Sequence, residues 1–86
     1  MRAGYAVVEP PAGLCFEGAG DALFCGDTLF LGHGFRTDAA VADWLAARFG
    51  LAVVPLELVD PRFYHLDTCF CPLDARTALA APGAFS

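Results

Sequence analysis

One amphipathic segment near the middle of the chain limits what this sequence can fold into. Its large apolar residues recur at helical spacing and form a single stripe: Val41, Trp44, Leu45 and Phe49. Thr37 or Asp38 is a suitable N-cap, and Gly50 stands where a left-handed C-terminal residue belongs. The pattern predicts a helix over residues 37–50, with one face that needs to be buried.

The segments on either side of this helix have the patterns of short strands. We predict strands over residues 21–24, 28–31, 52–59, 65–71 and 77–80, after an N-terminal loop over 1–14. Cys25-Gly26-Asp27 is a hairpin turn signal, and Pro55 is compatible with a strand only at an edge or a bulge. The predicted order is strand, strand, helix, strand and the start of another pair, which is about one ββαβ unit and part of the next.

The length of the chain bears on how such a unit is used. Eighty-six residues with a single helix offer a thin core, and no second copy of the unit is visible in the sequence. We therefore expect an α/β fold in which residues 1–86 form one partial domain of a larger repeating architecture. Exposed sheet edges and one apolar helix face favour pairing with the remainder of that architecture, or with another copy of the chain.

Composition and charge exclude several classes of function. The formal net charge is −5 and every basic residue is an arginine, which argues against binding to nucleic acid. No apolar run approaches the roughly 18 residues that span a bilayer, and the N-terminal apolar stretch is too short for a signal peptide. We expect no membrane association, a cytoplasmic location, and four cysteines that remain reduced thiols.

The predicted strand at 65–71 places a histidine and a carboxylate two residues apart. In an extended strand, His65 and Asp67 would project from the same face, roughly 6.6 Å apart at about 3.3 Å per residue. A proton-transfer group beside an anion suits a cationic substrate on which protons move. The alternative is a core histidine whose hydrogen bonds are satisfied within the structure.

Two further segments carry candidate functional residues. Glu17 and Asp21 surround small residues directly before a predicted strand, where glycines allow a ligand or backbone to come close; the alternative is a glycine-rich turn with solvated acids. Arg36 stands just ahead of the predicted helix, where a guanidinium can grip a carboxylate with two hydrogen bonds. The alternative is an ordinary surface arginine.

The cysteines do not supply a nucleophile or a metal site in this pattern. Cys69 shares a predicted strand face with His65, but four strand residues separate the two by roughly 13 Å, too far for proton transfer between them. Cys69 and Cys71 are more typical of small buried apolar residues. Their C-x-C spacing lacks a matching second pair, so we expect no metal ion; His33, between glycines, indicates a loop.

Taken together, three segments resemble the guanidino-group-modifying enzymes of the pentein superfamily, which include dimethylarginine dimethylaminohydrolases, arginine dihydrolases and amidinotransferases. The matching segments are FEGAGDAL at 16–23, GHGFRTD at 32–38 and YHLDTCF at 64–70, with the predicted helix between the second and the third. The resemblance implies a propeller of five ββαβ units around a central channel, of which this chain is a fragment. It also implies Cys/His covalent catalysis without a cofactor.

The resemblance implies a role for each matched residue. His65 is similar to the general acid/base, and Glu17 to the carboxylate that orients it. Asp67 is similar to a carboxylate that binds the guanidinium, and Arg36 to the ligand of the substrate's α-carboxylate. Asp21 is similar to an acid that positions the substrate or Arg36.

This sequence departs from the family pattern at two places. Many relatives have the acid three residues before the aspartate of the first motif, whereas Glu17 lies four residues before Asp21. The family's nucleophilic cysteine lies far downstream of the histidine, and no cysteine follows Cys71 here. We therefore expect a fragment of a hydrolase that acts on C–N bonds of arginine or a related guanidino compound, and an isolated chain without activity. The alternatives are an amidinotransferase, and a non-catalytic pentein remnant or protein-binding module.

Overall fold

The structure, a computed structural model, describes Gly4 and residues 7–85. Residues 1–3, 5 and 6 of the predicted N-terminal loop, and Ser86, lie outside the described residues. In chain order the elements are helix α1 (Gly18–Asp21), strands β1 (Ala22–Cys25) and β2 (Thr28–His33), helix α2 (Ala40–Phe49), strand β3 (Ala52–Glu57), a 3₁₀ turn (Leu66–Thr68), strands β4 (Phe70–Asp74) and β5 (Thr77–Ala80), and a 3₁₀ turn (Pro82–Ala84).

A three-stranded sheet and helix α2 form the first half of the fold. Strand β1 pairs antiparallel with β2 through a tight turn at Gly26, whose φ of 60° is in the left-handed region. Strand β2 pairs parallel with β3, and α2 makes the crossover between them. Pro55 lies in β3, which is at the edge of this sheet, so its missing N–H removes no bond from a central strand.

Helix α2 packs three of the four residues of its predicted apolar stripe onto this sheet, while Phe49 is 45% exposed. Val41 and Leu45 are buried with Leu29 and Leu31 of β2, and Trp44 packs at the margin of the same cluster. Gly50 ends the helix with φ 65° and donates its N–H to the Ala46 carbonyl at 2.9 Å.

The helix begins at Ala40 rather than at 37, and neither predicted cap residue caps it. Ala39 is the N-cap and makes no side-chain capping bond. The Thr37 hydroxyl donates to Asp21 instead, and the Asp38 carboxylate accepts from the Cys15 N–H at 2.7 Å. Both side chains are occupied by the segment before β1, because that segment crosses the start of the helix.

The prediction of a strand over 65–71 is wrong at its first five residues. Residues 66–68 form a 3₁₀ turn, and β4 begins only at Phe70. The Leu66 N–H donates to the Asp21 side chain, and the Thr68 N–H and hydroxyl both turn back to the His65 carbonyl at 3.2 and 2.6 Å. These bonds curl the backbone, so the same-face argument for His65 and Asp67 does not apply.

Strands β4 and β5 form a separate antiparallel pair behind this turn. A second core cluster joins the pair to the first sheet. It consists of Leu58, Leu66, Cys69 and Ala84. Phe30 and Phe70 pack against this cluster, and their ring centroids are 5.0 Å apart. Among the described residues, no helix is both long enough and apolar enough to cross a membrane.

Candidate active site

The side chains of Glu17 and His65 meet at the surface where α1 faces the 3₁₀ turn. His65 Nε2 lies 2.9 Å from Glu17 Oε1, although 48 residues separate the two in sequence. A carboxylate only accepts hydrogen bonds, so Nε2 carries the proton in this contact. The side chain of His65 is 20% exposed and that of Glu17 47% exposed, so the pair is open to a ligand.

Asp67 lies beside this pair because helix α1 has a glycine, Gly20, where it faces the 3₁₀ turn. A Cβ placed on Gly20 would lie 3.1 Å from His65 Cγ and 3.2 Å from Asp67 Oδ1. The helix therefore approaches the 3₁₀ turn closely only because residue 20 has no side chain. The prediction that His65 and Asp67 are neighbours holds in space, but a turn brings them together rather than a strand.

Arg36 reaches the same carboxylate from the opposite side. Its Nη1 lies 3.7 Å from Glu17 Oε2, so one carboxylate lies between a histidine and a guanidinium. The Arg36 side chain is 54% exposed, and this long contact is a weak one in water. The guanidinium is therefore free to bind an additional anion.

Tyr64 is a member of this cluster that the sequence pattern missed. The Arg36 guanidinium lies over its ring, 5.2 Å from the centroid, and the ring centroid is 4.9 Å from that of His65. In an extended strand, Tyr64 would project from the face opposite to His65. Alternation of faces holds only in extended strands, and residues 63–65 belong to no strand. The one feature of the sequence that could have indicated Tyr64 is its position as an aromatic residue directly before His65.

Asp21 lies behind the cluster rather than in it. Its side chain is fully buried; Oδ1 accepts the Leu66 N–H at 2.9 Å and Oδ2 accepts the Thr37 hydroxyl at 2.6 Å. A direct contact between Asp21 and substrate therefore disagrees with the geometry, since both oxygens are occupied inside the protein. The other form, an acid that positions Arg36, stays a prediction; Asp21 bonds to Thr37, the residue after Arg36.

An open cavity of about 550 Å³ adjoins the cluster on the side of Arg36 and Glu17. It is lined by residues 15–17 and 33–39, which include His33 at the end of β2. His65 and Asp67 are not among the lining residues, so the cavity alone does not define the candidate site. The cavity leads to the arginine end of the cluster.

Cys69 is not available as a nucleophile, but for a different reason from the one that the sequence suggested. The distance of roughly 13 Å from His65 assumed an extended strand, and residues 66–68 form a 3₁₀ turn instead. The thiol of Cys69 lies under the 3₁₀ turn and donates weakly to the Leu66 carbonyl at 3.5 Å. Burial raises the pKa of the Cys69 thiol, and the nearby Asp21 and Asp67 charges add to that rise. Within the described part of the chain, no group of three His, Cys, Asp or Glu residues is placed to hold a metal ion.

Comparisons with known proteins show what this chain is similar to over most of its length. No protein-family model matches the chain. The chain is 51% identical over 84 residues to the bifunctional arginine dihydrolase/ornithine cyclodeaminase AgrE of Nostoc sp., covering 95% of this chain and 12% of AgrE. It is 54% identical over 70 residues to the dimethylarginine dimethylaminohydrolase of Mycobacterium tuberculosis, covering 81% of this chain and 23% of that enzyme.

A solved structure gives the same result for the fold. The N-terminal domain of the cyanobacterial arginine dihydrolase ArgZ, bound to product, superposes with a TM-score of 0.90 at 49% identity, covering 96% of this chain and 31% of that domain. The fold is therefore a fragment of the pentein fold, as the sequence predicts. More particularly, the chain is homologous to a segment of the pentein-type guanidino enzymes, the arginine dihydrolases and dimethylarginine dimethylaminohydrolases. It spans much less than half the length of these relatives.

Proposed function

We propose that this chain carries the acid/base half of an enzyme that hydrolyses C–N bonds of arginine or a related guanidino compound. The observation that carries the proposal is the contact of His65 Nε2 with Glu17 Oε1 at 2.9 Å, with Arg36 on the other oxygen of that carboxylate. The relatives named above are hydrolases of guanidino compounds, which supports water rather than an amine as the acceptor.

In this mechanism His65 moves protons at the guanidino group. Glu17 accepts a hydrogen bond from the Nε2–H group and so fixes the orientation of the ring. Nδ1 is then left to exchange a proton with the substrate. As the imidazolium, His65 protonates the nitrogen that departs when a thiolate bonds to the guanidinium carbon. As the neutral base, it then removes a proton from the water that attacks this carbon, and the C–S bond breaks to release the thiolate. The Glu17 carboxylate stabilises the imidazolium that exists before the first of these steps and forms again after the second.

Two other side chains hold the substrate in this mechanism. A guanidinium is planar and cationic, and the Asp67 carboxylate binds it through paired charge-assisted hydrogen bonds. Arg36 binds the carboxylate at the other end of an amino-acid substrate, with its own guanidinium supported on the Tyr64 ring. The resemblance places the attacking thiolate far downstream of His65, and Cys69 does not fill that role because its thiol is buried.

A chimaera with a relative tests the proposal. The segment of AgrE that this chain matches over 84 residues is replaced by the corresponding residues of this chain, and ammonia and ornithine release from arginine is measured. We expect turnover by the chimaera, none by the isolated chain, and loss of turnover in the His65→Ala chimaera. Asp67→Asn should raise the KM for arginine at least tenfold, since a guanidinium loses its charged partner.

Arg36→Ala is compared with Arg48→Ala as a matched control. Arg48 is also an exposed arginine, but it stacks on Phe49 at the end of α2. We expect Arg36→Ala to raise KM and Arg48→Ala to leave kinetics unchanged. Full activity in the His65→Ala chimaera, or a folded chimaera without any turnover, would refute the proposal. Transfer of the amidino group to an added amine in preference to water would assign the chain to the amidinotransferases instead.

A further inference from the structure

We infer that Asp21 and Thr37 are a buried positioning pair that sets the geometry of Glu17, His65 and Arg36 from behind the site. The inference rests on the proposed function for its kinetic consequence, but its structural content stands on hydrogen bonds of this chain. Neither residue touches the site surface, since Asp21 is 0% exposed and Thr37 is 3% exposed.

The Asp21 carboxylate connects two of the three site segments. A buried carboxylate is tolerated only when its oxygens are hydrogen-bonded, and here each oxygen has its own partner. Oδ1 accepts from the backbone N–H of Leu66, the residue directly after His65. Oδ2 accepts from the hydroxyl of Thr37, the residue directly after Arg36. One side chain therefore fixes the backbone next to both the base and the guanidinium.

The Thr37 hydroxyl connects the third segment. While its hydrogen goes to Asp21, its oxygen accepts the backbone N–H of Glu17 at 3.1 Å. A hydroxyl is the one side-chain group that donates and accepts through a single atom. The series from Leu66 to Asp21 to Thr37 to Glu17 thus links the three segments by three hydrogen bonds, each ending on a site residue or its chain neighbour.

The bonds of Asp21 and Thr37 differ from the surface contacts of the site in their burial and in the charge of Asp21. The site side chains themselves are exposed and make contacts that water weakens. The two bonds to the Asp21 carboxylate are buried, and the bond from the Glu17 N–H to Thr37 is partly buried. Hydrogen bonds to a buried charge are among the stronger ones. A shift of one segment relative to another therefore breaks a buried bond before it changes the surface contact between Glu17 and His65.

Three variants of the 86-residue chain test the inference without any need for turnover. Thr37→Val keeps the volume and branching of the side chain but loses the hydroxyl, whereas Thr37→Ser keeps the hydroxyl. Asp21→Asn keeps the shape of the side chain, but its amide has a single oxygen and cannot accept both hydrogen bonds. The readouts are the ¹⁵N resonances of the His65 ring, which report the hydrogen bond at Nε2, and amide exchange at Glu17 and Leu66. Amide exchange at Leu45 in helix α2 reports the remainder of the fold.

In Thr37→Val and Asp21→Asn we expect the His65 ring resonances to move towards those of a Glu17→Gln chain. We also expect the Glu17 amide in Thr37→Val to exchange about tenfold faster, while Leu45 exchange stays unchanged. Thr37→Ser should match the wild type. In the chimaera, Thr37→Val should lower kcat about tenfold and also raise the KM for arginine, because both His65 and Arg36 lose a positioning bond.

Wild-type His65 resonances in both Thr37→Val and Asp21→Asn, with only overall stability reduced, would overturn the inference. If Thr37→Val does not fold, the comparison of Asp21→Asn with Thr37→Ser decides on the same resonances. Altered His65 resonances in chains whose chimaeras are all inactive, wild type included, would leave the positioning pair intact and refute the proposed function. The two failures are therefore distinguishable.

Discussion

Replacement of Gly32 by alanine should destabilise the chain and displace the site at the same time. Gly32 is buried in β2, and a Cβ on it would lie 2.7 Å from Leu66 Cβ and 3.3 Å from both Asp21 Oδ1 and Leu58 Cδ1. A contact of 2.7 Å is too short for two carbon atoms, and Leu66 Cβ moves only if its backbone moves. That backbone donates its N–H to Asp21 and carries His65 immediately before it.

The magnitude follows from two opposing effects. Overpacking of a filled core costs about 1–3 kcal/mol, and alanine returns about 0.4–1 kcal/mol by restricting the unfolded chain, so the net loss is about 0–2.6 kcal/mol. The 2.7 Å contact places Gly32→Ala in the upper part of this range, at about 1–2 kcal/mol. A chain of this size has about 4–13 kcal/mol of stability in all, at roughly 0.05–0.15 kcal/mol per residue. The expected fall in Tm is about 4–16 °C.

Urea and thermal unfolding followed by circular dichroism measure this loss. Gly83→Ala is the matched control, because a Cβ there meets no atom within 4 Å and its φ is not positive. We expect the control to be neutral or slightly stabilising, and the His65 ring resonances to shift in Gly32→Ala alone. If Gly32→Ala is as stable as Gly83→Ala, the reasoning from the close approach of β2 to the 3₁₀ turn is refuted.

Three further predictions concern the site and the thiols. Glu17→Gln should lower kcat of the chimaera about tenfold, the low end for a charge-assisted bond because Glu17 is half exposed; an unchanged kcat would exclude its support of His65. Tyr64→Leu should raise KM for arginine about two- to fivefold while Tyr64→Phe leaves it unchanged, since an exposed cation–π contact holds Arg36. At pH 8, iodoacetamide should modify exposed Cys15 well before Cys69, whose raised pKa lowers its thiolate fraction; equal rates by mass spectrometry would contradict the burial.

The elements that the sequence predicts well are those decided by local pattern. The apolar stripe of α2 and the left-handed Gly50 depend on neighbours within two turns of one another, and both occur in the structure. The strand predicted over 65–71 fails because its backbone is turned by Asp21, which is 45 residues away from Leu66 in sequence. No local pattern contains that information, and the residues of the turn have ordinary strand propensities.

The same distinction applies to the site: some of its residues can be recognised in the sequence, and the role of others is visible only in the folded structure. Glu17, Arg36 and His65 were selected from their chemistry and from a family resemblance, and the structure brings these three side chains together. Thr37 appeared in the sequence only as a helix cap, because a threonine before a helix is far more often a cap than a link between loops. Its other role depends on a carboxylate 16 residues away that lies buried beneath it.

The exposure of the site explains why its geometry depends on buried residues. Surface ion pairs contribute about 0–1 kcal/mol each, too little to hold Glu17, His65 and Arg36 in one arrangement against the motion of three loops. Catalysis nevertheless requires those groups to be placed within a fraction of an ångström. The free energy for that placement must come from groups that water does not reach, which here are the bonds of Asp21 and Thr37 and the packing of Leu66 against Gly32. Thr37→Val, behind the surface, should therefore lower turnover about as much as Glu17→Gln does, although its side chain does not touch the substrate.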